Sequence, residues 1–114
     1  MASYILLLTL TPDGREKMLR DPGYVHEAQE SIAVPQTYVL GQYGVLGQYD
    51  FVYIVEAPDN DAVARFSLEL GVMAGVHVVT MPAIPLARLQ QPRQPDVGDA
   101  LEQLNLTLPG QGVI

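Results

Sequence analysis

The sequence contains no cysteine, so disulfides, thiolate metal sites and thiol nucleophiles are excluded at the outset. Cations are scarce as well. Six Lys and Arg stand against thirteen Asp and Glu, a formal charge of −7, with no basic grouping beyond Arg15, Lys17 and Arg20. Nucleic-acid binding draws its affinity from clustered cations and is not expected. The two histidines, His26 and His77, lie too far apart to make a metal-ligand spacing, so neither a metal nor a cofactor is expected. No apolar run is long enough to span a bilayer, and the run from Ile5 to Leu8 lacks the basic leader of a signal peptide. No membrane association and a cytoplasmic location follow as expectations.

Charged residues make up 17% of the chain and hydrophobic ones 48%. This is the composition of a globular domain whose surface is sparsely charged, and part of that surface is expected to lie against a partner. At 114 residues the chain is one domain in size and can bury a core.

The stretch 47–59 is the richest in β-favouring residues and reads as a central strand. Phe51, Tyr53 and Val55 alternate with Val52 and Ile54, so both faces of the strand are apolar. Residues 3–10 form a second dry run, predicting another central strand. Thr11, Pro12 and Asp13 then supply an N-cap, a proline at the first helical position and a favourable first-turn charge. Asp21, Pro22 and Gly23 interrupt that helix, which predicts one segment over 13–20 and another over 23–33 with Tyr24, Ala28 and Ile32 facing inward. Residues 37–46 read as a strand bent at Gly41 or Gly44. Gly47 and Gln48 suit a two-residue hairpin turn.

After Pro58, an Asp59 or Asp61 cap predicts a helix with Val63, Phe66, Leu70 and Met73 inward. Residues 75–81 read as a last strand, ended by Pro82 and Pro85 at a sheet edge. Residues 1–87 are expected to form the domain, and 88–114 a polar linker, a short amphipathic helix with Val97, Ala100, Leu101 and Leu104 on one face, and an extended arm. An apolar arm of this kind needs something to pack on.

The order β-α-β-β-α-β, with the first helix broken, predicts an α+β, ferredoxin-like domain with a four-stranded antiparallel sheet. Its helices can cover only one face. The other apolar face has the character of an interface, and packing two such sheets together predicts a homodimer, or a higher even oligomer, with a closed α/β-barrel centre.

The residues Tyr43-Gly44-Val45-Leu46-Gly47-Gln48-Tyr49-Asp50, followed by Phe51-Val52 and Glu56-Ala57-Pro58-Asp59, resemble the signature of the GYD-domain family. Thr11-Pro12-Asp13-Gly14 and Gly75-Val76 resemble it too, over roughly 3–86. The resemblance implies a dimeric α/β-barrel fold and assigns no settled activity.

Two residues are catalytic candidates. Asp50 begins a central strand near the first helix start, as a general base or as an acceptor for backbone N–H groups. His77 begins the last strand at the same rim, with the first strand between them and a backbone separation of about 10 Å. Tyrosine supplies six of the eight aromatics. Tyr4, Tyr43, Tyr49 and Tyr53, with Asp50 and His77, are candidates for lining a small-molecule site, or for packing a sheet and its interface with their hydroxyls wet. Three functions compete: an oligomeric module binding a small molecule in the barrel, a cofactor-independent proton-transfer or monooxygenase-type enzyme using Asp50, His77 and a tyrosine, and an accessory subunit docked on another protein through residues 88–114.

Overall fold

The computed structural model describes Met1–Gln90 and divides the chain into two compact units, Met1–Ile84 and a second from Pro85 on. In the first unit the elements run β1 (Ala2–Leu10), α1 (Pro12–Arg20), α2 (Tyr24–Glu30), β2 (Tyr38–Gly44), β3 (Phe51–Ala57), α3 (Asn60–Ala74) and β4 (Val76–Ala83). The second unit holds the short helix α4 (Leu86–Leu89). The amphipathic segment and arm expected after the linker lie outside the described residues.

The sheet has the order β2-β3-β1-β4 with antiparallel neighbours throughout. The two driest runs are thus central, as expected. Alternation sorts each strand: Tyr4, Leu6 and Leu8 of β1 and Tyr53, Val55 and Ala57 of β3 are buried. They form one core with Val25 of α2, Val63, Phe66, Leu70 and Ala74 of α3, and Val76 of β4. All helices of this unit serve that face, and none of the unit's described residues covers the other.

Local signals explain most boundaries. The Thr11 side chain caps α1 by accepting from the Gly14 N–H at 3.0 Å, and Asp59 caps α3 by accepting from the Ala62 N–H at 2.9 Å. Gly75, at φ 66°, ends α3 in the left-handed conformation that glycine tolerates best. Three details differ from the sequence reading. The β2–β3 connection is six residues, 45–50, closed by the Val45 N–H donating to the Asp50 carbonyl at 2.9 Å; the expected two-residue turn at Gly47 and Gln48 is absorbed into this longer loop. Pro82 does not end β4 but pairs with Tyr4 within it, which an edge strand permits because only one side of the strand needs donors. Ala74, rather than Met73, completes the buried stripe of α3. The bend of β2 is a register shift between Val39 and Gly41.

A tight junction joins β1–α1 to α3–β4. The Gly75 carbonyl accepts from the Thr11 N–H at 3.2 Å and the Thr11 hydroxyl at 3.0 Å. The Tyr24 hydroxyl donates to the Ala74 carbonyl at 2.6 Å, with the Gly14 carbonyl at 3.3 Å. Burial pushes the Tyr24 phenol above its ordinary 10.0. Burial does the same to Tyr53, partly offset by a Gln42 hydrogen bond. A raised phenol contributes stability that is complete below the unfolded value of about 10 and is lost as pH climbs through the folded value. Denaturant midpoints should therefore fall above about pH 10, and Tyr53→Phe should flatten that decline; an equally steep decline in the variant would show that Tyr53 does not drive it.

Candidate functional site

The sheet face turned away from these helices leaves Tyr43, Val79 and Met81 exposed and Ile5, Leu7, Val52 and Ile54 partly exposed. Strand register arranges it in rows across the sheet. Tyr43, Val52, Leu7 and Val79 make one row, and Gly41, Ile54, Ile5 and Met81 the next. A row of Tyr38, Glu56, Ser3 and Ala83 lies at one end, while Thr9 and His77 pair at the other. The middle is apolar and both ends carry polar groups, the layout of an interface with an apolar centre and a polar rim.

Asp50 stands at the rim where β3 begins. Its main-chain N–H donates to the Leu8 carbonyl at 2.8 Å, and its carboxylate accepts from the Leu10 N–H at 2.8 Å. The carboxylate thus takes the place of a ladder carbonyl for the last residue of β1. Asp50→Asn retains an acceptor and should cost about 0.5–1 kcal/mol in chemical denaturation, whereas Asp50→Ala, which strands that N–H, should cost about 1–3 kcal/mol. Equal losses would mean that the hydrogen bond is not what Asp50 supplies. His77 is exposed on β4 opposite Thr9, so β1 runs between the two candidates.

The four candidate tyrosines are divided among different surroundings. Tyr4 is buried on the helix side and donates to Asn60 Oδ1 at 2.7 Å. Tyr53 is buried on the same side beside Gln42. Tyr43 lies on the open face, where a Cβ added to Gly41 would come within 3.0 Å of its ring. Tyr49 is half-buried in the β2–β3 loop. Burial raises the pKa of the Tyr53 phenol, which stays protonated at neutral pH and is a poor base there, and the Asp50 carboxylate is occupied by the backbone.

A polar network that sequence reasoning did not single out joins α2 to β2. Gln42 Nε2 donates to Gln29 Oε1 at 2.6 Å, and Gln42 Oε1 lies 3.0 Å from His26 Nδ1. His26 Nε2 lies 3.1 Å from Glu30 Oε1 on the next turn. These residues wall a groove of about 480 Å³ against β2. The i,i+4 spacing of His26 and Glu30 was legible, but Gln42 joins them only once β2 is placed beside α2. On the other side, Tyr4, Asn60, Val63, Leu68 and Pro82 line a second groove of about 480 Å³ between α3 and β4, with the Ser67 and Thr80 hydroxyls 2.6 Å apart. Among the described residues no three His, Asp or Glu side chains converge on a metal position, and no described helix is long and apolar enough to cross a membrane.

The fold is shared with solved proteins. A transcriptional regulator superposes with a TM-score of 0.57 at 17% identity over 75% of this chain and 51% of the regulator. The chain spans about half the length of that structure, and the likeness concerns the fold alone. In sequence, the chain is 41% identical over 90 residues to the glutamine synthetase and cystathionine beta-lyase binding protein of Thermus thermophilus, an alignment covering 78% of this chain and 95% of the relative. The GYD domain pattern matches residues 4–91, which takes in all of the sheet except the first two residues of β1, the three helices packed on it and the Gly47-Gln48-Tyr49-Asp50 turn. On these grounds the chain belongs to the GYD domain family.

Proposed function

We propose that this protein is a non-enzymatic, protein-binding module that works as a homodimer, and that its partners are metabolic enzymes of the glutamine synthetase or cystathionine β-lyase kind. The uncovered apolar sheet face carries the dimer reading. Four strands about 4.8 Å apart and about seven residues long at 3.3 Å each give a face of roughly 440 Å². Two such faces bury roughly 900 Å² before side-chain relief is added, close to the lower bound of about 1,000 Å² for a specific interface. The Thermus relative is named as a binding protein for the two enzymes, which supports the partner class. The occupied carboxylate of Asp50 favours binding over acid–base chemistry.

The test is native mass spectrometry of the purified protein, followed by titration against purified glutamine synthetase and cystathionine β-lyase of the same organism. A dimer that binds either enzyme at micromolar concentration or tighter is the expected result. A monomer would overturn the sheet-to-sheet assembly. Binding to neither enzyme would overturn the partner class, and a reproducible extra mass on the dimer would point instead to a small molecule held between the sheets.

A further inference from the structure

We infer that the outer surface of α3 is the docking surface for the partner enzyme. The inference rests on the protein-binding reading and adds where the partner sits and what it must present. A surface helix ordinarily buries one stripe and turns charged residues to water. Here Val63, Phe66, Leu70 and Ala74 form the buried stripe. Asp61, Arg65, Leu68 and Val72, at spacings of four, three and four, run along the opposite side. Leu68 is 70% exposed and Val72 84%. The helix is therefore apolar on two sides, and only one is used within the fold. Leu68 and Val72 also line a groove of about 310 Å³ with Arg65, Glu69 and Met73.

The charges along this strip select the occupant. Arg65 Nε lies 3.1 Å from Glu69 Oε2, so these two neutralise one another. Asp61 enters no ion pair among the described residues, and the capping carboxylate of Asp59 lies two positions away. Three carboxylates (Asp59, Asp61, Glu69) against one guanidinium leave the strip at −2, in a chain whose formal charge is −7. A second copy is disfavoured, because a twofold axis would set two strips of the same sign against each other. The complementary partner is a helix of another protein carrying two apolar residues one turn apart, to cover Leu68 and Val72, and a Lys or Arg about 10 Å further along its axis, opposite Asp61.

The experiment compares the intact protein with Leu68→Ser/Val72→Ser and, separately, with Asp61→Lys. Affinity is read by titration against purified glutamine synthetase and cystathionine β-lyase, with native mass and melting temperature measured alongside. Leu68 and Val72 face solvent, so melting of the double variant should hold, while Asp61→Lys, in the first turn of α3, should lower it by a few degrees at most. The double variant should lose about tenfold or more in affinity, and Asp61→Lys roughly threefold to tenfold at low salt, the difference shrinking as salt is added. Unchanged affinity in both variants, with the intact protein still binding, would overturn this surface while leaving the protein-binding reading standing. A change in oligomer mass would assign the strip to self-contact and overturn it too. If the intact protein binds neither enzyme, the protein-binding reading fails and this inference fails with it.

Discussion

Gly14→Ala should destabilise the fold by about 2 kcal/mol or more, against the ordinary expectation that alanine improves a helix by about 1 kcal/mol. The reason is space rather than backbone angle. A Cβ on Gly14 would lie 2.7 Å from the Gly75 carbonyl oxygen, 3.1 Å from the Tyr24 hydroxyl and 3.2 Å from the Thr11 hydroxyl. None of these can retreat cheaply. The Gly75 carbonyl is held by both donors of Thr11, and the Tyr24 hydroxyl by the Ala74 carbonyl. To admit one methyl group, α1 must lift from the α3–β4 turn, breaking hydrogen bonds that each contribute about 1 kcal/mol net. Overpacking of this kind typically costs about 1–3 kcal/mol, and the lost bonds add to it. A thermal melt should show a Tm lower by about 10 °C or more for a domain of this size. Gly23→Ala is the control. The nearest atom to its added Cβ lies at 3.7 Å, and the change should stay within about 0.5 kcal/mol. If the two variants melt alike, the junction is softer than its geometry indicates.

That junction marks where sequence reasoning stops. Thr11, Pro12 and Asp13 announced a helix start through capping chemistry alone, because a cap is a local event. What makes Gly14 necessary is a carbonyl 61 positions further along the chain, and nothing local records it. The same division runs through the rest of the molecule. The alternation of Tyr53 and Val55 with Val52 and Ile54 was enough to predict two faces and a sheet covered on one of them, since strand geometry sends successive side chains to opposite sides. The helix stripe of Val63, Phe66 and Leu70 was legible for the same reason. The β2–β3 loop was not: Gly47 does take positive φ, at 121°, but the closing bond from Val45 to Asp50 depends on β3 beginning at Phe51, later than its dry run suggests.

The candidate site was legible in part, and for a physical reason. Asp50 stood out because a carboxylate beside a central strand needs partners, and its partner is the Leu10 N–H. The tyrosines stood out by number, but number does not say on which face each lies. Tyr4 and Tyr53 go to the core, and Tyr43 to the open face, by register alone. The outer strip of α3 leaves no separate mark in the sequence, because helical periodicity records only the inward stripe. Leu68 and Val72 become informative once that stripe is known to be satisfied without them.

Ile54→Lys should convert the proposed dimer to a folded monomer. Ile54 sits in the middle of the open face, opposite Ile5 on one side and Gly41 on the other, and is only half-buried in the isolated protomer. A lysine there can run its methylenes over the sheet and leave its ammonium in water, so the protomer loses little. Face-to-face packing removes that escape. The twofold brings one such ammonium from each copy into the apolar centre, and each unpaired buried charge costs several kcal/mol after relaxation. The dissociation constant should then rise by about a thousandfold or more, since each factor of ten is about 1.4 kcal/mol. Native mass spectrometry over a dilution series, with circular dichroism to establish that the variant is folded, reads the result. A folded Ile54→Lys protein that still runs as a dimer at micromolar concentration would remove the open sheet face from the interface. A folded monomer that still binds an enzyme partner would show that the partner's surface lies elsewhere on the protomer, as the outer strip of α3 requires.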